Sequence, residues 1–345
     1  GIEKFKLIRK KFFEFFKKGY LIQDKQPAFY LYQQQKEKYI FEGIIAASSV
    51  EDYKNGLIKV HEDTLTKREE MFKNYLNITG FNADPVLLTY TELEEINQLI
   101  NKRKKRRPEY EFTTTDKTSH RLWIINENDA INTIITCFRE IKNIYIADGH
   151  HRTASSALLA KKKDKEKEKN SNYFMSFLIP ENQINIINFN RLIKNLNGLS
   201  LEDFIKKISV NFNIQKSQDI IPKNKNEIGV YLQQKSYLII PKKGSYDEDC
   251  VSQLTPSILS KNIFSPILGI TDEKTDQNIS FISGERPITE LKKLVDTGEY
   301  AVAFILKPIS VKAIKEVADK MKVMPPKSTY IEPKLRSGLT VYPIE

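Results

Sequence analysis

The sequence predicts a mixed α/β (α+β) fold in two units, and three observations carry that reading. Segments with strand alternation and segments with helical spacing succeed one another along all 345 residues, which argues for layers of sheet and helix. No internal repeat interrupts them. The longest uninterrupted apolar run, residues 300–306, is far too short to span a bilayer. With 40% hydrophobic and 29% charged residues, the chain can build a core and is not globally disordered.

The elements follow in order. Residues 2–18 place Ile2, Phe5, Ile8, Phe12, Phe15 and Phe16 at helical spacing with basic residues opposite, and Gly19 follows as a C-terminal cap. Such a helix is expected to pack on its own domain, although one lying on a membrane surface has the same pattern. Residues 28–33 and 39–47 read as strands. Residues 69–76 read as a helix ending near Gly80, and 86–90 as a buried strand. Thr91 with Glu94 forms a capping-box pattern ahead of a helix whose buried stripe is Leu93, Ile96, Leu99 and Ile100. Residues 121–125 read as a strand, 129–138 as a helix, and 143–147 as a short β-rich run that stops at Asp148-Gly149. A helix over 154–163 dissolves into a mixed-charge tract reaching residue 169, expected to be solvated. Residues 173–179 and 183–188 read as a strand pair around Pro180.

A second unit is expected to begin near Arg191, dividing the chain into 1–190 and 191–345. There Ser200, with Asp203 three residues on, caps a helix carrying Phe204, Ile205 and Ile208. Strands are expected at 227–232, 236–240 and 301–307, a helix from Ser310 to Lys320, and a last strand at 339–342. Gly284-Glu285-Arg286 before Pro287 reads as a turn, and His120 as an ordinary surface or core histidine.

Charge and cysteine narrow the function classes. The formal net charge is +11, but Lys102 to Arg107 is an unbroken run of six basic residues, and without it the chain stands at +5. One solvated loop explains the excess better than a nucleic-acid groove does. Cys137 and Cys250 lie far apart without CxxC spacing, so no disulfide framework or cysteine zinc site is expected. No secretory signal is visible, and a reducing cytoplasm is the expected location.

The sharpest local signal is Tyr145-Ile146-Ala147-Asp148-Gly149-His150-His151-Arg152-Thr153. It holds two of the four histidines and sits between a strand and a helix. Gly149 permits a tight turn or a close approach of backbone to ligand. The following helix would aim its unpaired N–H groups and positive dipole end at the same point. Arg152 adds a planar fork for phosphate or carboxylate. These parts describe an anion site with titratable groups beside it.

Ile146 to Arg152, reading IADGHHR, resembles the hallmark of the bacterial and archaeal domain of unknown function 1015 family. Val60-His61-Glu62-Asp63-Thr64 is similar to that family's RHExT segment. Leu122-Trp123, Asn188-Phe189-Asn190-Arg191 and Pro266-Ile267-Leu268-Gly269-Ile270 match it as well. The run from Met324 through Pro325-Pro326-Lys327-Ser328-Thr329 and Lys334-Leu335-Arg336-Ser337-Gly338 to Leu339 follows the family pattern almost letter for letter. The sequence departs from the pattern in two places. The family's additional N-terminal segment with a PPYDV-like motif is absent, and Thr153 stands where tyrosine is common.

DGHHR is also found in free serine kinases of the ParB/sulfiredoxin superfamily, where the equivalent turn cradles nucleotide phosphate. The resemblance therefore implies a ParB/sulfiredoxin-like core, a second smaller α+β unit, and L-serine with O-phospho-L-serine as the substrate pair. Under it, Gly149, Arg152 and Thr153 would hold the phosphoryl oxygens. His150 or His151 would protonate a departing serine oxygen, or take the phosphoryl group covalently. Asp148 and Glu62 would serve as general base or as Mg²⁺ ligands, with His61 beside them. Lys327, Ser328, Thr329, Lys334 and Arg336 would return to the site on the loop 324–338.

Hydrolysis of phosphoserine is the favoured direction: no P-loop appears, although the serine kinases similar at DGHHR lack one as well. Members of the resembled family also often neighbour serine-biosynthesis genes in bacteria without an obvious phosphoserine phosphatase. A kinase using ATP or ADP is the alternative. A nucleotide-binding module that docks on DNA through Lys102 to Arg107 is the rival of another class, and a non-catalytic anion sensor the third. The partner expected is a small phosphorylated amino acid, with no membrane and little place for nucleic acid. The oligomeric state stays open.

Overall fold

The structure is a computed structural model, and it describes residues 1–162 and 170–344. Most of the expected charged tract, residues 163–169, lies outside the described residues. Contacts divide the chain into one unit of Gly1–Asn185 with Pro333–Glu345 and another of Ile186–Glu332. The loop 324–338 is therefore shared between them. Among the described residues, no helix is long and apolar enough to cross a membrane.

The first unit runs α1 (Ile2–Lys17), β1 (Phe29–Lys36), β2 (Tyr39–Ser49), α2 (Val50–Lys54), β3 (Ile58–Lys59), α3 (Thr66–Thr79), β4 (Phe81–Asn82) and β5 (Val86–Tyr90). It continues with α4 (Glu94–Lys104), β6 (Tyr110–Thr113), β7 (Ser119–Ile125), α5 (Asn128–Glu140), β8 (Ile144–Asp148), α6 (His150–Lys162) and β9 (Tyr173–Pro180). Eight strands form one mixed sheet in the order β3-β8-β5-β9-β2-β1-β7-β6. β8 runs parallel to β3 and antiparallel to β5, while β9 runs parallel to β5. One face carries Leu31, Ile44, Leu88, Trp123 and Ile146 into a core shared with Ile96 and Ile100 of α4 and Ile134 of α5.

The second unit holds β10 (Asn185–Ile187), β11 (Phe189–Ile193), α7 (Leu201–Asn211), β12 (Phe212–Lys216), β13 (Ile228–Leu232), β14 (Lys235–Pro241) and α8 (Thr255–Leu259). A π-helical turn, Ser260–Phe264, follows, then β15 (Ile279–Ser283), α9 (Ile288–Asp296), β16 (Val302–Ile305), α10 (Val311–Asp319) and β17 (Tyr330–Glu332). Six strands order as β12-β14-β13-β16-β11-β15. Phe204 and Ile208 of α7 pack with Val230, Phe264 and Phe304 beneath this sheet. The chain ends in β18 (Tyr342–Pro343), which pairs with β4 of the first unit.

Three local expectations are corrected. Thr91 is not the cap of α4: Leu93 occupies that position and no side chain caps it. Tyr90 still belongs to the sheet, its carbonyl accepting from Glu181 N–H at 2.8 Å, so three further residues are spent turning into the helix. Residues 173–179 and 183–188 do not pair with each other. β9 is buried along nearly its whole length between β2 and β5, where a continuous apolar strand belongs, and β10 pairs with β17. Helix α6 begins at His150, four residues before the expected start at Ala154. The caps at Gly80, Ser200 and Ser310 stand as read, with Gly80 left-handed and both serine hydroxyls accepting from the first turn of their helices.

Candidate active site

The turn after β8 is built by two backbone irregularities. Leu88 pairs with Ile146 and Leu87 with Asp148, so Ala147 is an extra residue on β8. A bulge of this kind re-aims the side chain that follows it, here Asp148. Gly149 then takes φ +108°, and the Arg152 guanidinium lies 3.0–3.2 Å from where a Cβ would stand. Only glycine meets both demands. The N–H of Thr153 returns to the Gly149 carbonyl at 3.0 Å and its hydroxyl donates to the same oxygen at 3.3 Å. Thr153 is fully buried, so its hydroxyl locks the start of α6 and is not available to phosphate. The N–H groups ahead of it, from Gly149 to Arg152, form the orphan first turn with its positive dipole end.

The charges around this turn are gathered from distant segments. Asp148 Oδ2 lies 3.3 Å from Arg152 Nη2 and 3.4 Å from Lys334 Nζ. Arg152 Nη1 also donates to the Pro85 carbonyl. Lys334 arrives because the C-terminal segment rejoins the first unit: Gly338 N–H donates to Ala83 O at 2.8 Å and the Ser337 hydroxyl to Asp84. Asp148 is thus an electrostatic anchor for two cations, one from its own helix turn and one from the C-terminal segment.

His61 and Glu62 reach the turn through the parallel pairing of β3 with β8, since they follow β3 directly. The His61 backbone N–H donates to His150 Nε2 at a long 3.4 Å, and the two rings cross at 90° with centroids 4.5 Å apart. That contact assigns the proton of neutral His150 to Nδ1, which faces Glu62 Oε2 at 3.7 Å. Both ring nitrogens of His61 and Nδ1 of His151 are buried without a partner at hydrogen-bonding geometry among the described residues.

All three histidines are held neutral. Burial pushes His61 down to about 4, with the Asp148 carboxylate and the Ile146 carbonyl opposing it. Burial also takes His150 well below the usual histidine range, helped by His61, His151 and Arg152. His151 is lowered by burial and then by Arg68, against Glu69. A neutral imidazole at neutral pH takes up a proton and does not start by giving one. His150 is sealed, with Nε2 engaged, whereas His151 is half-exposed. His151 is thus the member of the pair able to exchange a proton with a bound group.

The remaining candidates separate. Lys334 stands at Asp148. Arg336 belongs to a different neighbourhood, with Nη2 3.4 Å from Asp116 Oδ1, near His120, whose pKa is lowered by burial first and then by the Arg336 charge. Lys327, Ser328 and Thr329 lie in the second unit. There the Lys327 carbonyl accepts from Arg191 Nη2 at 3.2 Å, its ammonium sits 5.4 Å over the Phe189 ring, and the Ser328 hydroxyl closes on Pro325 O at 2.7 Å. His120 is a core residue, its Nδ1 2.7 Å from the Tyr32 hydroxyl. Sequence reasoning missed Arg68 and Glu69, which adjoin His151 from the first turn of α3. The signal was there, in the residues immediately after the His61-Glu62-Asp63-Thr64 segment.

No group of three or more His, Cys, Asp or Glu side chains able to hold a metal gathers among the described residues. Asp148 and Glu62, the two carboxylates expected as magnesium ligands, each have other neighbours here. The first lies beside Arg152 and Lys334, and the second faces His150. The basic run is likewise partly spent inside its own unit. Arg103 and Arg106 pair with Glu127 and Lys104 with Glu42, and the Arg106 carbonyl accepts from Trp123 Nε1 at 2.9 Å.

The family model described as "Protein of unknown function (DUF1015)" matches residues 2–263. The chain belongs to this family. No curated protein matches it. Among solved structures it is similar to a free serine kinase in complex with AMP, at 13% identity over 84% of this chain and 88% of that one, with a TM-score of 0.42. It is also similar to SbnI with a C-terminal truncation from Staphylococcus aureus, at 14% identity, 86% of each chain and a TM-score of 0.47. A conserved hypothetical protein from Pyrococcus furiosus gives 15% identity, 85% of this chain, 93% of that one and a TM-score of 0.41. At such scores the likeness carries no argument about this protein's chemistry.

Proposed function

We propose that this member of the DUF1015 family is a phosphotransfer enzyme of serine metabolism, hydrolysing O-phospho-L-serine to L-serine and phosphate. A ParB/sulfiredoxin-like core for the first unit goes with that reading. The observation that supports it best is the α6 turn, where Arg152, Lys334 and the orphan N–H groups face one carboxylate and a neutral, half-exposed histidine. Phosphoryl transfer asks for little else: cations and dipoles around the transferring oxygens, and a group that carries one proton. The identity of the substrate rests on the family resemblance of the DGHHR turn.

In this scheme the phosphoryl oxygens lie on the α6 N-terminus, within reach of Arg152 and Lys334. His151 takes a proton from the attacking water as its oxygen bonds phosphorus, and returns that proton to the serine oxygen as the P–O bond breaks. His150, fixed between the His61 backbone and Glu62, positions its neighbour. No step is routed through magnesium.

The test is phosphate release from O-phospho-L-serine by the full chain, with and without Mg²⁺, beside ATP or ADP with L-serine. Release lost in both Arg152→Ala and His151→Ala supports the hydrolase. Phosphoserine formed only with nucleotide makes the chain a kinase at the same site. Silence in both assays from folded protein removes the reading.

A further inference from the structure

We propose that helix α1 is a docking surface for an anionic lipid membrane. The helix is fixed to the first unit by one face only. Phe5 meets Tyr75 edge-on at 5.5 Å, Phe12 stacks on Phe81 at 4.3 Å, and Arg9 donates to the carbonyls of Ile78 and Thr79 at 3.3 and 3.0 Å. No residue of α1 is fully buried.

Along the edge of that face further apolar side chains stand partly in solvent, Phe13 leaning on Phe12 and lying under the Arg9 guanidinium. Ile2 is 58% exposed, Phe13 45% and Phe16 44%, and helical spacing puts the three within a stripe about 60° wide. Leu7 and Phe15 are exposed on the opposite flank, and Tyr20 and Ile22 just beyond the helix are each 69% exposed. Isolated exposed apolar residues need no explanation, but a concentration of them at one place does.

The charge decides what covers it. Residues 1–18 carry Lys4, Lys6, Arg9, Lys10, Lys11, Lys17 and Lys18 against only Glu3 and Glu14. Lys6, Lys10 and Lys17 fall within about 40° of one another, beside the apolar stripe. A second copy of the chain would bring like charge against like charge. A protein partner fits poorly because lysine is depleted from the centres of protein interfaces. An anionic bilayer accepts both features: rings enter the headgroup boundary while lysine stems lie along it with their ammonium groups on lipid phosphates. The surface is peripheral, and it is independent of the phosphotransfer reading.

The test is co-sedimentation of the full chain with vesicles of phosphatidylcholine alone or with phosphatidylserine added, at low and high salt. Binding should be confined to the phosphatidylserine vesicles and weaken as salt rises. Phe13→Ser with Phe16→Ser should lower partitioning by about tenfold or more. Each of Lys6→Gln, Lys10→Gln and Lys17→Gln should lower it about fivefold. These side chains are exposed, so circular dichroism and the urea-unfolding midpoint without lipid should stay unchanged. Equal or absent binding to both vesicle types overturns the proposal. A concentration-dependent dimer that Phe16→Ser abolishes also overturns it, in favour of self-association.

Discussion

Each unit buries a polar cluster, and the two solve the cost of burial in opposite ways. In the second unit Arg191 is wholly buried on β11, and its terminal nitrogens are committed to the backbone carbonyls of Phe189 and Lys327. Its guanidinium lies 5.3 Å over the Phe281 ring, and burial pushes its pKa down to about 10 against the pull of Glu273. That arginine is a staple: it ties the turn at 325–328 to the sheet. In the first unit the cluster at α6 leaves ring nitrogens unpartnered and keeps Asp148, Arg152 and His151 partly open. Arginine and histidine there are held in place without being used up, which is the condition for acting on something else. Orphan atoms alone do not separate the two, since Arg191 Nε also lacks a partner among the described residues. Access does.

Exchanging one arginine from each cluster gives the largest expected contrast. Arg152→Ala should lower kcat/KM for phosphoserine by about 10²–10³ while changing stability by about 1 kcal/mol or less. Arg191→Met should do the reverse. It strips two carbonyls of their donors and should cost about 3 kcal/mol in urea unfolding, with turnover per folded molecule little changed. If Arg191→Met abolishes turnover at full stability, the staple reading is wrong and the second cluster takes part in the chemistry.

The histidines sharpen the contrast through pH. His61 falls from 6.5 to about 4 on folding, so between those values the unfolded chain binds more protons and stability rises with pH. The contribution is complete above about pH 6.5 and is lost as pH falls towards 4, amounting to ~3 kcal/mol from this residue. Urea unfolding at several pH values should show the slope, and His61→Asn should flatten it. An unchanged slope would mean that His61 is not the buried neutral group described.

Lys334 offers a smaller effect. Lys334→Gln removes one of the two cations at Asp148 and should cost turnover about tenfold, with stability unchanged, because the pair is largely exposed. Equal turnover would leave Arg152 as the sole phosphate clamp.

Much of this was legible locally. Strand β5 matches its expected span of residues 86–90, and Gly80, Ser200 and Ser310 terminate or cap their helices because each of those signals acts within a few residues. The Asp148–Arg152 cluster was legible as chemistry, because those residue types converge on one strand-to-helix turn. Its polarity was not: that His150 is sealed and His151 open depends on His61, 89 residues away in sequence and adjacent through the β3–β8 pairing. The extra residue on β8 and the return of Lys334 are likewise products of long-range pairing, which periodicity does not encode. Thr91 shows the opposite failure, a complete local signal overridden because Tyr90 still belonged to the sheet.

The smallest effect is expected at the basic run, and a near-zero result there is informative. Arg103, Lys104 and Arg106 are tied to Glu127 and Glu42, which leaves Lys102, Lys105 and Arg107 as the part of the run facing solvent. Changing those three to glutamine should move stability by no more than about 0.5 kcal/mol and leave phosphoserine turnover intact. Arg103→Gln should cost more, because Arg103 is buried and its guanidinium is paired with Glu127. Salt-sensitive DNA binding that vanishes in the triple variant would reverse this ranking, and would make the run a functional surface with turnover at α6 as its companion.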